Sequence, residues 1–231
     1  MLRLYSVTTG KRLRTWSTSS SSVNGGGPGL YSDDNTHLTW VDGDRTIAFF
    51  TLWITSKPNA KSPQYLYHEG IRELDVTAGG SDLLADSRLT WSQAQPASSI
   101  DHFAGCLWEA DVLIAANGKT VVCPSVYVLT GKYRKGDHWT VRWLTYSTTA
   151  PTVARTLATV TIAETVPATL LIDPEEVSPS GTAVIASWYL LASASPRPSL
   201  MPVDLISEGR SSPLPVKLAI IAANNNPIIA W

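Results

Sequence analysis

Charge is scarce in this chain. Of its 231 residues only 16% are Asp, Glu, Lys or Arg, with a formal net charge of −1, against roughly 25% charged residues in an ordinary globular domain. That scarcity argues against long salt-bridged helices and coiled coils, and it leaves no basic footprint for nucleic acid or anionic lipid. The most basic run, Lys132-Tyr-Arg-Lys135, is short and closes with Asp137, as a solvated loop does. Long apolar runs are missing too, since no segment reaches the ~18 residues that a membrane helix needs. The opening LRLYSVTTGKRLRTW alternates from its second residue and lacks the apolar centre of a signal peptide. A start at Met1, almost inside a strand, reads as the truncation of a longer protein, so membrane contact is expected only through an anchor outside this chain.

Chemical motifs are equally sparse. There is no GxSxG elbow, HExxH, P-loop or dinucleotide fingerprint. Two cysteines are too few for a four-ligand zinc site, and His102 is not at a zinc-motif spacing from them. His37, His68, His102 and His138 stand singly, as surface or turn residues do. No catalytic residue, metal site or cofactor is expected. Helical periodicity is poor as well, and proline is scattered through the chain.

What the sequence has is turns between alternating runs. Residues 2–17, LRLYSVTTGKRLRTWS, read as strand, turn and strand, and residues 70–92, GIRELDVTAGGSDLLADSRLTWS, repeat the design with Thr15 and Thr90 75 positions apart. Weaker copies follow at 139–162 and 200–218, the last with Asp204 placed like Asp75. A second kind of hairpin alternates with these: 37–54 turning at Asp42-Gly43, 110–126 at Asn117-Gly118, 170–190 near Ser180-Gly181, and KLAIIAANNNPIIAW at 217–231. Asp-Gly and Asn-Gly suit type I′ turns, whose two central residues need positive φ.

Two hairpins make a four-stranded antiparallel sheet, and such sheets repeated along a chain are the blades of a β-propeller. The expected fold is all-β and propeller-like, a single domain over residues 1–231 with about four four-stranded antiparallel blades. The order is half a blade, three full blades, then half a blade. Either the halves complete one another in a small closed ring, or the chain is a partial propeller with further blades before Met1. The start in mid-pattern favours the second arrangement.

The phrases LYSVTTGKRLRTWS, LTWVDGDRTIAF, GIRELDVTAGGSDLLADSRL, NGKTVVC and the closing IIAW resemble a family of actinobacterial WD-repeat-like propeller proteins. The resemblance runs from residue 2 over most of the chain and weakens between about 130 and 215. It implies an extracytoplasmic propeller of the cell envelope behind a membrane anchor, and it carries no catalytic residues over.

Cys106 and Cys123 flank the turn at Asn117-Gly118. A plain hairpin there sets Val112 opposite Cys123 and leaves Cys106 six residues beyond, about 20 Å at strand rise, whereas bridged Cα atoms lie within about 7 Å. A disulfide therefore requires the chain around Gly105-Cys106 to fold back over the second strand. The resemblance to an exported family favours that bridge, and two buried thiols are the alternative. Among the nine tryptophans, Trp16, Trp40, Trp91, Trp139 and Trp143 fall at repeat-like strand positions and are expected in the core. Trp53 and Trp108, near strand and loop boundaries, are the candidates for an exposed binding platform. Asp173, Glu175 and Glu176 read as a solvated acidic corner at the entrance of a strand.

These features point to a non-enzymatic interaction or sensing module that binds a protein, peptide or glycan through loops held by rigid blades. The alternative is a propeller-type hydrolase or lyase with its polar groups converging on a central channel.

Overall fold

Strands whose two faces are both apolar must be sandwiched between other sheets, and that is how this chain is built. The structure, a computed structural model, describes residues 1–17, 38–43, 45–56, 65–96, 106, 112–130, 136–163, 169–191 and 200–219. Among the described residues there are fourteen strands and no helix. Sheet I pairs β1 (Leu2–Tyr5) with β2 (Arg12–Trp16). Sheet II runs through β3 (Leu38–Val41), β4 (Thr46–Ser56), β5 (Tyr65–Asp75) and β6 (Ser87–Pro96). Sheet III holds β7 (Leu113–Ile114), β8 (Thr120–Thr130), β9 (His138–Ser147) and β10 (Ala150–Ala163). Sheet IV holds β11 (Thr169–Val177), β12 (Ala183–Leu191), β13 (Leu200–Ser207) and β14 (Arg210–Ala219).

Each sheet is an antiparallel meander in chain order. The hairpins expected from the Asp-Gly, Asn-Gly and Ser-Gly turns are there, and they join two by two. The final hairpin, 217–231, lies outside the described residues apart from Lys217–Ala219, which extend β14. Described residues thus form one half-sheet and three full ones.

Three apolar layers hold the stack. Trp16, Ile47, Phe49 and Leu74 fill the space between sheets I and II. Ala48, Ile71, Trp91, Ile114, Val121 and Leu144 fill the next. Trp139, Val141, Trp143, Ile172, Val184 and Ile206 fill the third, between sheets III and IV. Ile47, Ala48 and Phe49 are consecutive and all buried, because side chains alternate across a strand and here both directions meet a neighbouring sheet. Trp16, Trp91, Trp139 and Trp143 are core residues as expected. Trp40 is not. It is 44% exposed, because its side of β3 faces the half of sheet I where the described residues provide no strand.

The scattered prolines find places that strands tolerate. Pro96, Pro151, Pro174, Pro213 and Pro215 lie on edge strands, where the missing N–H interrupts no ladder. Pro124 and Pro202 lie on inner strands, and each borders a break in register, as Pro174 does. Asp204 sits within β13 and accepts a hydrogen bond from Ser211 Oγ at 2.8 Å. Asp75, at the end of β5, has a different task. Its Oδ1 accepts from the Thr77 N–H (2.8 Å), and its Oδ2 accepts from Arg45 Nη2 (2.8 Å) in the neighbouring turn. That Arg45 bond, with those from Thr77, holds the Asp75 carboxyl far below the usual carboxylate range.

Corresponding turns line up along one end of the stack. At the β3–β4 turn both Asp42 and Gly43 have positive φ, 59° and 67°. At the β7–β8 turn only Gly118 does, at 65°, so the loop is not type I′. Asn117 instead keeps its place by accepting the N–H groups of Lys119 (2.8 Å) and Thr120 (3.1 Å) on its side-chain oxygen. Gly118 N–H donates to Ala115 and Ala115 N–H to Thr120, both at 2.9 Å. The β11–β12 turn copies this, with Gly181 donating to Ser178 (2.8 Å) and Ser178 to Ala183 (2.9 Å). The two copies also touch, since Asn117 donates to the carbonyls of Pro179 and Ser180 at 3.1 and 3.0 Å.

Gly118 and Gly181 both take positive φ, yet a Cβ on Gly181 falls 2.4 Å from Thr120 Cγ2, whereas one on Gly118 meets nothing closer than 3.5 Å. Gly118→Ala should therefore cost about 1 kcal/mol of backbone strain. Gly181→Ala adds overpacking and should lose on the order of 3 kcal/mol. Urea unfolding of both variants checks this, and equal losses would refute the nested-turn packing.

Candidate functional site

A disulfide joins Cys106 to Cys123 of β8, with Cα atoms 5.5 Å apart. Both cysteines are fully buried between sheets II and III. The sequence register alone placed Cys106 too far along its own strand. Cys106 instead belongs to the crossover between β6 and β7, and that crossover passes into the layer beside β8. Gln93 of β6 secures it there: its amide accepts the Cys106 N–H at 3.1 Å and donates to the Cys106 carbonyl at 3.2 Å. The same amide nitrogen donates to Glu69 of β5, whose carboxylate is fully buried. These polar groups anchor a crossover and line no opening.

Trp53 and Trp108 do not come together as a platform. Trp108 lies outside the described residues, as do His37, His102 and the basic run at 132–135. Trp53, on β4, is half-buried and stacks on His68, its cross-strand partner on β5, with ring centroids 5.1 Å apart and planes within 4°. Gly70 makes room for it, since a Cβ there would lie 2.9 Å from the Trp53 ring and 2.8 Å from Leu89 Cδ1. His68 is therefore a strand residue in an aromatic contact, and burial pushes its pKa below the ordinary 6.5.

The acidic corner is also corrected. Glu175 is buried within β11, where the register slips between Pro174 and Glu176, and it accepts a hydrogen bond from Ser187 Oγ. A slipped register turns the extra residue inward, which sequence alternation alone does not reveal. Among the described residues no three His, Cys, Asp or Glu side chains gather in a metal-binding group.

The groove that the aligned turns create was not visible as a motif. It measures about 660 Å³ and opens between sheets III and IV. Six hydroxyl side chains line it: Thr120, Thr145, Thr156, Thr159, Ser180 and Thr182. Arg155 of β10 stands on the sheet III wall, and Glu208, in the β13–β14 turn, stands on the sheet IV wall. The Gly209 N–H donates to the Leu157 carbonyl at 2.9 Å and pins the two walls together. A guanidinium facing a carboxylate across hydroxyls offers directional donors and acceptors to a polar chain. Its lining includes neither histidine nor cysteine and only one carboxylate. The signal in the sequence was dispersed over Thr and Ser residues near four different turns.

No protein-family model, no curated protein and no solved structure matches this chain. The groove and the stacked sheets therefore carry the functional argument.

Replacing both Cys106 and Cys123 by Ala should cost about 3 kcal/mol, the value for a closed loop of this size, since the two are 17 positions apart. Chemical unfolding measures it, and an unchanged midpoint would contradict the bridge. His68 makes a second prediction. Its folded pKa is lowered, so the unfolded chain binds the proton first as pH falls. The stability present above the unfolded value of about 6.5 is lost as pH drops through the folded pKa. His68→Gln should flatten the fall in melting temperature between pH 7.5 and 5, and parallel curves for variant and parent would show that His68 contributes nothing.

Proposed function

We propose that this chain is a non-enzymatic, β-propeller-like interaction module of the cell envelope, and that the groove between sheets III and IV receives a segment of a protein, peptide or glycan. The single observation that carries this reading is the groove itself, six hydroxyls between a guanidinium wall and a carboxylate wall. A propeller-like arrangement is supported by which strands meet. The fourth strands β6, β10 and β14 touch across successive sheets, as do the first strands β7 and β11. Blades set side by side around an axis make those contacts. The envelope assignment rests on the resemblance of the hairpin phrases to exported propellers, and a buried disulfide is in keeping with an oxidising compartment.

Rigid presentation is the mechanism this implies. Turns held by strand pairing and by each other lose little freedom on binding, so polar contacts are not offset by ordering costs. The labelled chain, applied to peptide and glycan arrays, should retain a defined ligand. Arg155→Ala or Glu208→Ala should each weaken that ligand about tenfold, one charge-assisted hydrogen bond being worth about 1.4 kcal/mol or more. Silence on both arrays, or binding indifferent to both substitutions, overturns the reading.

A further inference from the structure

Sheet I is half a sheet, and the part of sheet II opposite its missing half is bare. Superposing equivalent turns sets Val41 with Ala115, so Leu38 and Trp40 of β3 correspond to Val112 and Ile114. The latter pair, covered by sheet II, is 1% and 2% exposed, whereas Leu38 and Trp40 are 52% and 44% exposed. What covers Val112 and Ile114 includes Val41 and Ala48, from the first two strands of the preceding sheet. Sheet I has no counterpart of those strands among the described residues. Its β1 and β2 match the second hairpin of sheet II, LRLYSVTTG at 2–10 against IRELDVTAG at 71–79. The flank of β1 that corresponds to the β4-paired flank of β5 therefore has no described strand beside it, and β1 carries no proline to block one.

The chain holds a segment of the required kind. Residues 220–229, IIAANNNPII, match residues 113–122, LIAANGKTVV, position by position. Asn225 falls where Gly118 has φ 65°, and Asn is among the few residues that tolerate that conformation. Pro227 falls where the Thr120 N–H bonds the Asn117 side chain at 3.1 Å, so a proline there forfeits only a side-chain contact. We infer that residues 220–230 are the hairpin that completes sheet I of the same molecule, pairing with β1 and covering Leu38 and Trp40. Ile220, Ala222 and Ile229 face sheet II, because their counterparts Leu113, Ala115 and Val122 face the following sheet.

Reaching that position requires the end of β14 to let go. Crossing from a fourth strand to a first spans three gaps of ~4.8 Å, about 14 Å, and four released residues cover about that distance at ~3.4 Å each. Lys217, Leu218 and Ala219 pair with Pro202, Met201 and Leu200 only beyond the register break that follows Pro202. Those three pairs are exchanged for the hairpin, and the four sheets close into a ring. This holds whatever the groove binds.

The register is specific. Ala48 pairs with Glu73 in sheet II, which sets Ile229 opposite Leu4. In the full chain, Leu4→Cys combined with Ile229→Cys should form an intramolecular bridge under mild oxidation, seen as a monomer on non-reducing electrophoresis and as a linked peptide by mass spectrometry. A covalent dimer would assign the hairpin to a second copy, and no bridge would mean no such pairing; either overturns the inference. A second measurement needs no cysteine. Hydrogen exchange at Leu2–Tyr5 should be at least tenfold slower in the full chain than in one ending at Ala219, and equal rates overturn the inference.

Discussion

Burial on both faces is the constraint from which the rest of this structure follows. Consecutive buried residues such as Ile47, Ala48 and Phe49 leave a strand no solvent side, so a sheet built from them is stable only between two others. Each neighbour supplies apolar contact worth roughly 25 cal/mol per Å² removed from water. Sheets II and III satisfy this with tryptophan, Trp91 against Tyr146 in one layer and Trp143 in the next. The sparse charge of the sequence has the same origin, because little surface is left that must be polar.

Stacking also decides where polar chemistry is possible. Inside the layers, Glu69 and Glu175 are committed to the Gln93 amide and the Ser187 hydroxyl. Only the turns meet solvent together, and they are held in register by contacts such as Asn117 with Pro179 and Gly181 with Thr120. Hydroxyls from several elements therefore converge in one groove without any of them being adjacent in sequence. A site made this way inherits its rigidity from the sheets and its chemistry from the loops.

The hairpins were legible in the sequence because their signals are local. Asp42-Gly43, Asn117-Gly118 and the two Thr-Trp-Ser endings each mark a place where backbone geometry or strand alternation restricts residue choice. What escaped depends on distant neighbours. Trp40 looks like Trp91 in alternation, and only the missing half of sheet I separates them. Glu175 looked like a solvated corner because a slipped register reverses the direction of a side chain. The Cys106–Cys123 distance was measured along a single hairpin, although the relevant path runs through the crossover between two sheets. The groove draws on residues from Thr120 to Gly209 and has no linear trace at all.

Proline on the outermost strands has a bearing on how this molecule meets others. Every fourth strand carries at least one: Pro96 on β6, Pro151 on β10, Pro213 and Pro215 on β14. A strand lacking donors along its free side is a poor template for a foreign strand. The rim of the stack is thereby closed to the sheet-extending association that leads to fibres, although it is rich in β-branched residues. Traffic with other molecules is diverted from the rim to the ends, where the turns are.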